Sequence, residues 1–314
     1  DEGGRTVLVS NPIDQTDENI NVRTLVHEYG GSAWTVRNET LVYSQYSDQR
    51  LYRRDKSNHS IPLTPEPEIQ QGCRYADGRI TNNEEWYVCV RELHNKSNEE
   101  PSNEIVAVPL DGSGQIKVLV SGPDFVSSPR LSKKGDQIAW LQWNHPNMPW
   151  DDTQLCVASL KEMTLTNQKV VKSKAESFFQ PEWDDQGNLY VVSDRNNWWN
   201  LFRVDQSTND MDLIPLTNIE AEIGLPQWVF GQSRYVFVGD EIWLVYREAG
   251  IDNLATFLPD GRLEKIEIDA TEIESVTNYQ DGIVATVSSW KAESLVTFVN
   301  RKEIRPLSKT RDLG

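Results

Sequence analysis

The hydrophobic positions of this chain fall in short runs rather than in long helical stripes. Runs rich in Val, Tyr, Trp, Leu and Thr alternate with clusters of Gly, Asn, Asp and Pro. Short β-branched and aromatic runs bounded by turn residues are typical of strands, whereas an apolar spacing of three to four residues is nearly absent. The pattern therefore predicts an all-β protein.

One type of apolar run recurs six times, at intervals of 41 to 53 residues. The six runs occupy residues 41–43, 86–90, 138–141, 189–192, 242–246 and 283–287. A repeat of about fifty residues leaves room for four short strands, which is the size of a propeller blade. A four-stranded sheet cannot bury both of its faces alone, so blades stack on one another. The repeat therefore predicts a β-propeller.

We predict a single β-propeller domain over residues 1–314, of the seven-blade type, with six complete blades and one partial N-terminal blade. The complete blades are assigned to residues 26–70, 71–122, 123–174, 175–219, 220–270 and 271–310. Residues 1–25 contain one good strand and are interpreted as the outer half of a further blade. The uncovered blade edge predicts self-association. Because the chain opens at Asp1 without an initiator methionine or signal peptide, we expect it to be a fragment.

Charge and composition narrow the classes of partner. The chain carries 48 acidic and 31 basic side chains, a net charge of -17, which repels nucleic-acid phosphates and anionic lipid head groups. A run of about 18 apolar residues, the length of a membrane span, is absent from the sequence. The three cysteines, in no metal-ligand spacing, favour a reduced, cytoplasmic protein. We expect neither nucleic acid nor a membrane as a partner.

The sequence contains no complete catalytic or metal-binding motif. Residues 30–34 and 231–235 each resemble the start of G-x-S-x-G but lack the closing glycine. The pair His27-Glu28 lacks the second histidine of a zinc-protease helix, and the four histidines are scattered over three predicted blades. We therefore expect no catalytic residue, no cofactor and no metal in this chain.

Tryptophan occurs eleven times, and we expect most of these rings to be wedges between blades. Trp183 and Trp228 each follow a proline at the start of a predicted blade. Proline fixes the backbone at the entry to a strand, so the Pro-x-Trp pattern indicates an architectural role.

Four strings of residues resemble the propeller of one peptidase family. They are 22–34, which includes His27-Glu28-Tyr29-Gly30-Gly31; 138–151, which includes His145-Pro146-Asn147-Met148-Pro149-Trp150-Asp151; 180–183 with 192–201; and 226–231. They closely resemble propeller motifs of the acylaminoacyl-peptidase and dipeptidyl-peptidase-like branch of the prolyl oligopeptidase family, over residues 5 to 310.

The resemblance implies a serine peptidase built from a propeller and a C-terminal α/β-hydrolase domain, and this chain stops where that domain would begin. It also implies short peptide substrates, to which the propeller narrows access. The catalytic serine, aspartate and histidine of the family have no matching positions here, so we expect this chain alone to be inactive.

Blade topology indicates where substrate-binding residues would collect. Because antiparallel strands alternate in direction, loops that follow second strands share one rim with the connections between blades. The candidate substrate-binding residues are Glu28, Arg91, His145, Trp150, Arg195, Trp198 and Arg247. Glu28 is the candidate for a peptide amine and the arginines for a carboxylate, while Trp150 and Trp198 supply apolar walls. Alternatively, Glu28 and Arg195 only bridge neighbouring blades.

Three functions are compatible with the residues. The first is a non-catalytic, substrate-gating propeller domain of a serine peptidase of the aminopeptidase or oligopeptidase type. The second is a stand-alone TolB-type propeller that binds a protein or peptide. The third, an enzyme with its site in the central channel, needs converging acids or metal ligands on inner strands, which offer mostly Trp, Val, Ser and Pro.

Overall fold

The computed structural model describes residues 4–10, 13–55, 59–96 and 99–308. Within these ranges the regular secondary structure consists of strands, and no helix capable of crossing a membrane is present. The described strands form six antiparallel four-stranded sheets and one two-stranded hairpin. The prediction of an all-β propeller is confirmed with six blades, whereas the partial seventh blade is not.

The chain divides into two compact units, and each unit contains three of the four-stranded sheets. The first unit comprises Asp1–Val171, Asp185–Gly187 and Trp228–Gly231. Its strands are β1 (Val9–Ser10), β2 (Ile13–Asp14), β3 (Trp34–Arg37), β4 (Thr40–Ser44), β5 (Leu51–Arg54), β6 (Ser60–Pro62), β7 (Cys73–Ile80), β8 (Trp86–Leu93), β9 (Ser102–Pro109), β10 (Lys117–Val120), β11 (Phe125–Leu131), β12 (Gln137–Trp143), β13 (Gln154–Lys161) and β14 (Thr164–Val170). Strands β1 and β2 pair with each other, and β3–β6, β7–β10 and β11–β14 form sheets in chain order.

The second unit comprises Lys172–Asp184, Asn188–Gln227 and Gln232–Gly314. Its strands are β15 (Phe178–Trp183), β16 (Leu189–Ser193), β17 (Asn200–Val204), β18 (Leu213–Pro215), β19 (Tyr235–Val238), β20 (Glu241–Glu248), β21 (Ile251–Phe257), β22 (Leu263–Ile266), β23 (Glu272–Tyr279), β24 (Gly282–Ser289), β25 (Ala292–Val299) and β26 (Ile304–Pro306). They form three sheets, again in chain order.

The recurrent apolar runs lie in the second strands of the sheets, and most of their side chains are buried. In β12, four consecutive residues from Ile138 to Leu141 are fully buried. Trp140 belongs to an apolar cluster with Val88 on β8 and Cys156 on β13. Because side chains alternate between the faces of a strand, a run without polar interruptions marks a strand covered on both sides.

A β-bulge interrupts the first strand of several sheets at a residue with left-handed backbone. In β7 this residue is Asp77, with φ of 56°, and in β11 it is Ser128, with φ of 54°. The Asp77 N–H donates to the carbonyl of Ser32 at 3.0 Å, while the Ser128 N–H donates to the Asp77 carboxylate at 2.8 Å. The bulges therefore connect successive sheets of the first unit at their innermost strands.

Gln180 is the corresponding bulge residue of β15 in the second unit, with φ of 49°. Its side-chain oxygen accepts from the Arg234 N–H at 2.6 Å, and its amide nitrogen donates to the carbonyl of Tyr235 at 2.7 Å. Both Ser128 and Gln180 directly precede the proline that opens a blade, for which an architectural role was predicted. Part of that role therefore belongs to the bulge residue before the proline.

The second unit contains a buried ion-pair network centred on Asp252. Its carboxylate pairs with Arg234 at 2.9 Å and with Arg247 at 2.8 Å, and it accepts the Ile273 N–H at 2.9 Å. Burial alone would raise the pKa of Asp252, but the hydrogen bonds from the two guanidinium groups outweigh burial and hold this pKa below its usual value. The carboxylate is therefore ionised in the folded protein at neutral pH.

The tryptophans differ widely in burial. Four rings are buried, namely Trp140, Trp143, Trp183 and Trp243, and four are exposed, namely Trp34, Trp198, Trp228 and Trp290. Trp86, Trp150 and Trp199 are half-buried, and Trp86 and Trp199 pack against buried apolar clusters. That most tryptophans are wedges between blades stays a prediction. Trp228 lies outside the strands, since β19 begins only at Tyr235.

Candidate functional site

Residues 27–32 form a turn with an unusual concentration of left-handed backbone. Positive φ angles occur at His27 (52°), Glu28 (63°), Gly30 (68°), Gly31 (97°) and Ser32 (45°). A Cβ atom on Gly30 would overlap the carbonyl oxygen of Thr24, so this position requires glycine. We call this segment the 27–32 turn.

Side chains from the second sheet hold the 27–32 turn in place. The His27 N–H donates to the buried Glu92 carboxylate at 2.8 Å, and the His27 ring lies 3.1 Å from the Asn103 side-chain oxygen. The ring packs beside Phe125 and Phe230, and this burial lowers the pKa of His27. Left-handed backbone at a non-glycine residue is costly and persists where surrounding contacts fix it. The turn is therefore rigid.

The 27–32 turn presents the carboxylate of Glu28 to solvent. The side chain is 72% exposed, and its Oε1 atom lies 2.7 Å from Arg74 Nη1. Arg74 also contacts Glu92 Oε1 at 3.1 Å and donates to the carbonyl of Leu25 at 2.9 Å, so the guanidinium is fixed. Among the described residues, Glu28 Oε2 has no hydrogen-bond partner. Glu28 thus offers one paired and one open carboxylate oxygen.

Three aromatic side chains, Tyr29, Trp150 and Trp228, contact one another at the surface, and Tyr29 directly follows Glu28 in the chain. The ring centroids of Tyr29 and Trp228 are 5.4 Å apart, and those of Trp150 and Trp228 are 4.6 Å apart. Tyr29 is 63% exposed and Trp228 is 49% exposed. We call these three residues the aromatic cluster.

The contacts of the aromatic cluster bring together three of the strings on which the family resemblance rests. The Phe230 N–H donates to the carbonyl of Gly30 at 2.9 Å, and Gly31 forms a parallel bridge with Phe230. This pairing aligns residues 228–231 with the 27–32 turn. Trp150, from the loop between β12 and β13, packs on Trp228. Residues far apart in sequence therefore converge on one site within the first unit.

The residues around Glu28 form an ion-pair network that contains three potential metal ligands. Glu28, Glu92 and His94 offer ligand atoms within 4.8 Å of one another. His94 Nε2 lies 2.7 Å from Glu92 Oε1, and the Arg74 guanidinium contacts both carboxylates. A cation bound here would face the fixed charge of that guanidinium.

Two other predicted residues of the first unit differ in their relation to this site. The His145 ring lies 3.1 Å from Asp124 and 4.9 Å from Phe125, which in turn packs on His27. His145 therefore lies next to Phe125, one of the residues that pack against the His27 ring of the 27–32 turn. Arg91 lies on β8 and pairs with Glu104 of β9, with Nε at 3.0 Å from the carboxylate.

The remaining predicted residues, Arg195, Trp198 and Arg247, belong to the second unit. Arg195 forms two hydrogen bonds of 2.9 Å with Glu176, and Arg247 is part of the Asp252 network. Trp198 is 37% exposed. Both arginines are thus engaged by a carboxylate of the chain itself.

Four residues of the site were not among the candidate substrate-binding residues: Tyr29, Arg74, Glu92 and Trp228. Of these, only Glu92 was placed on the predicted rim. Arg74 and Glu92 are direct partners in the pairing of β7 with β8. Opposite charges facing each other across two strands are a recognisable signal once the register is known. Trp228 was assigned to an architectural role because of its Pro-x-Trp pattern.

The folded sheets define this chain as a β-propeller, and comparison with solved structures identifies its relatives. A puromycin-hydrolyzing peptidase of Mycobacterium tuberculosis is 31% identical, with a TM-score of 0.89 over 96% of this chain and 49% of that chain. A puromycin hydrolase mutant complexed with PGG is 28% identical, with a TM-score of 0.91 over 100% of this chain and 51% of that chain. The predicted resemblance to the N-terminal propeller of a prolyl oligopeptidase-family peptidase is thereby confirmed.

The acylaminoacyl-peptidase and dipeptidyl-peptidase branch is not confirmed by these relatives. The chain spans about half the length of each of them. TolB from Acinetobacter baumannii, at 13% identity and a TM-score of 0.53, shares the fold alone. No protein-family model and no curated protein matches the sequence.

Proposed function

We propose that this chain is the substrate-gating, non-catalytic propeller of a cytoplasmic serine peptidase that hydrolyses short peptides. Its partner in this proposal is a C-terminal α/β-hydrolase domain of the same protein, which supplies the nucleophile, the base and the oxyanion hole. The sequence similarity to two puromycin-hydrolysing enzymes supports the proposal.

The observation that carries the proposal is the exposed Glu28 carboxylate on a rigid turn. A peptide amino terminus that leaves bulk water needs an anionic partner, because an unpaired ammonium in a dry cleft is costly. Glu28 Oε2 is open, while Arg74 and the left-handed backbone fix the rest of the group. A carboxylate held in this way recognises an ammonium with little ordering cost. We therefore assign Glu28 to the free amino terminus of the substrate.

The arginines have less support as partners for a substrate carboxylate. Arg91, Arg195 and Arg247 each pair with a carboxylate of the chain. A substrate carboxylate would have to compete with these intramolecular partners, so their role in binding stays a prediction.

The alternative function, a stand-alone TolB-type propeller, rests on weaker similarity. The TolB structure is 13% identical to this chain, compared with 31% for the mycobacterial peptidase. We therefore favour the peptidase propeller.

We expect Glu28→Gln, made in the peptidase that contains this propeller, to lower kcat/KM for a free-amine tripeptide reporter by about tenfold or more, or about 1.4 kcal/mol. Glutamine keeps the shape of the side chain but removes the charge that pairs with the ammonium. Steady-state kinetics with the free reporter and its N-acetylated form measure the effect. The acetylated reporter should lose nothing.

Glu68→Gln is the matched control for this variant. Glu68 is an exposed carboxylate of the same unit, 3.8 Å from Lys96, and its loss should leave both reporters unchanged. An equal loss for free and acetylated reporters, or no loss for either, would remove Glu28 from substrate recognition.

We further propose that the propeller is of the seven-blade type. Leu8, Ile20 and Val22 of the N-terminal segment pack on the first sheet, whereas Trp34 and Val36 on its innermost strand are exposed. This is the arrangement expected if residues 1–25 are the outer half of a blade. A chain extended upstream by two strands should cover these side chains and melt several degrees higher. An unchanged Tm would contradict the seventh blade.

A further inference from the structure

A polar cleft of about 570 Å³ opens in the second unit, between the segment that leads into β15 and the loop that joins β16 to β17. Clefts of this size commonly bind small molecules through a few fixed polar groups. The charge on its lining is balanced, whereas the whole chain carries a net charge of -17. Its three basic and three acidic side chains are Lys172, Lys174, Glu176, Asp194, Arg195 and Asp212. The lining therefore suits a ligand that carries both signs of charge.

Arg195 is held in this cleft with one guanidinium nitrogen left open. Its Nε and Nη2 atoms each donate to the buried Glu176 carboxylate at 2.9 Å, and Nη2 also lies 3.3 Å from the carbonyl oxygen of Lys172. Its Cζ atom lies 5.4 Å from the centroid of the Phe202 ring. In the part of the chain that the structure describes, Nη1 has no hydrogen-bond partner. A ligand carboxylate can therefore bind Nη1 while the pair with Glu176 stays intact.

Asp194, the preceding residue, offers an open carboxylate oxygen to the same cleft. Its Oδ1 atom accepts the Ser177 N–H at 2.8 Å, whereas Oδ2 has no hydrogen-bond partner among the described residues. Within the described ranges no ion pair neutralises this carboxylate, because Arg195 pairs with Glu176 instead. Burial raises the pKa of Asp194, and the neighbouring carboxylates of Glu176 and Glu222 raise it further. An ammonium group bound at Oδ2 would offset this unfavourable environment.

The loop that carries both residues is closed by its own hydrogen bonds. The Asn197 N–H donates to the carbonyl of Asp194 at 2.8 Å, and the Arg195 N–H donates to Ser193 Oγ at 3.2 Å. A site that is fixed before binding loses little conformational entropy when a ligand enters. The open carboxylate oxygen and the open guanidinium nitrogen are thus held next to each other in advance.

We propose that this cleft binds a short peptide as a zwitterion, with the ammonium group at Asp194 Oδ2 and the carboxylate at Arg195 Nη1. Both ends of the ligand then gain a charge-assisted hydrogen bond. Two contacts of opposite sign also fix the direction in which the peptide lies in the cleft. The inference does not depend on the amine site at Glu28, which belongs to the first unit.

The test uses three peptides that differ only at their ends: L-alanyl-L-alanine, its N-acetylated form and its C-terminal amide. All titrations are made on the Glu28→Gln chain, so that amine binding at Glu28 does not contribute. We expect the free dipeptide to bind about tenfold or more tightly than either capped form, because each cap removes one charge-assisted hydrogen bond. Isothermal titration calorimetry measures the three affinities.

Asp194→Asn and Arg195→Lys, each added to Glu28→Gln, separate the two contacts. Asp194→Asn keeps an acceptor for the Ser177 N–H but removes the charge. It should bind the free and N-acetylated dipeptides equally and still discriminate against the amide. Arg195→Lys keeps a positive charge beside Glu176 but loses the open Nη1. It should bind the free dipeptide and its amide equally and still discriminate against the N-acetylated form.

Asp240→Asn and Arg262→Lys are the matched controls, because both replace exposed side chains of the same unit outside the cleft. Both controls should keep both preferences. If circular dichroism shows that a cleft variant does not fold, Asp194→Ser or Arg195→Gln takes its place. Equal affinity of the Glu28→Gln chain for all three peptides, or no saturable binding of the free dipeptide, overturns the site. Preferences that survive the cleft variants, or that the controls lose equally, also overturn it.

Discussion

Replacing Asp252 by alanine is expected to lower the free energy of unfolding by about 3–5 kcal/mol. The side chain of Arg234 is 1% exposed, and in the variant its guanidinium would lose the only carboxylate with which it forms an ion pair among the described residues. Arg247 would lose the same ion-pair partner, and the Ile273 N–H would lose its hydrogen-bond acceptor. A buried charge without a counter-ion is far more costly than the loss of a surface pair.

Urea unfolding followed by tryptophan fluorescence measures this change. Asp260→Ala is the matched control, because Asp260 pairs with Arg262 at 2.7 Å with both side chains largely in solvent. We expect no measurable change in that variant. A loss in Asp252→Ala no larger than in the control would show that the network does not stabilise the fold.

The same network gives a pH dependence with a definite sign. Because the pKa of Asp252 is lowered in the folded state, its contribution is present above the unfolded pKa of about 3.9. This contribution is lost as the pH falls through the lower, folded-state pKa. Asp252→Ala should therefore lose less stability than the wild type on acidification below about pH 4.

Gly30→Ala is expected to abolish Glu28-dependent binding of free amines. Left-handed backbone costs a residue with a Cβ about 1–2 kcal/mol. Beyond that cost, the new methyl group would overlap the carbonyl oxygen of Thr24, so the 27–32 turn must open. Opening the turn displaces Glu28 from Arg74 and separates Gly30 from Phe230. Titration of the variant with a free-amine tripeptide measures the loss.

Gly239→Ala separates the effect of the clash from that of the backbone conformation. Gly239 has φ of 59°, close to the 68° of Gly30, but no heavy atom lies within 4 Å of the position of its Cβ. This control should lose about 1–2 kcal/mol of stability and keep full binding. Wild-type binding by Gly30→Ala would show that the shape of the turn does not position Glu28.

Much of the fold was predictable because the stacking of blades buries their second strands, and buried strands have a recognisable apolar sequence. A second strand covered on both faces, such as β12, reads as an unbroken apolar run, and the run recurs with each blade. In the sequence, only the pair Gly30-Gly31 indicated the left-handed 27–32 turn. The orientation of the turn depends on Glu92 and Asn103, which lie more than sixty residues away in sequence.

Side-chain exposure was less predictable, because it depends on which segment covers a residue. Trp183 and Trp228 share a Pro-x-Trp pattern, yet Trp183 is buried in β15 while Trp228 is exposed. Arg91 lies near the end of β8 and Arg195 just after β16, but Glu104 and Glu176 already pair with their guanidinium groups. The local sequence pattern predicts the position of a residue in the fold, but it does not predict which residues contact its side chain.

The most direct test of amine recognition at the Glu28 site compares the affinity of this chain for a free tripeptide with its affinity for the N-acetylated form. We expect that wild type and Glu68→Gln both prefer the free peptide by about tenfold or more, and that Glu28→Gln has no preference. Equal affinity of the wild-type chain for the two peptides, or a preference that Glu28→Gln retains, would contradict it.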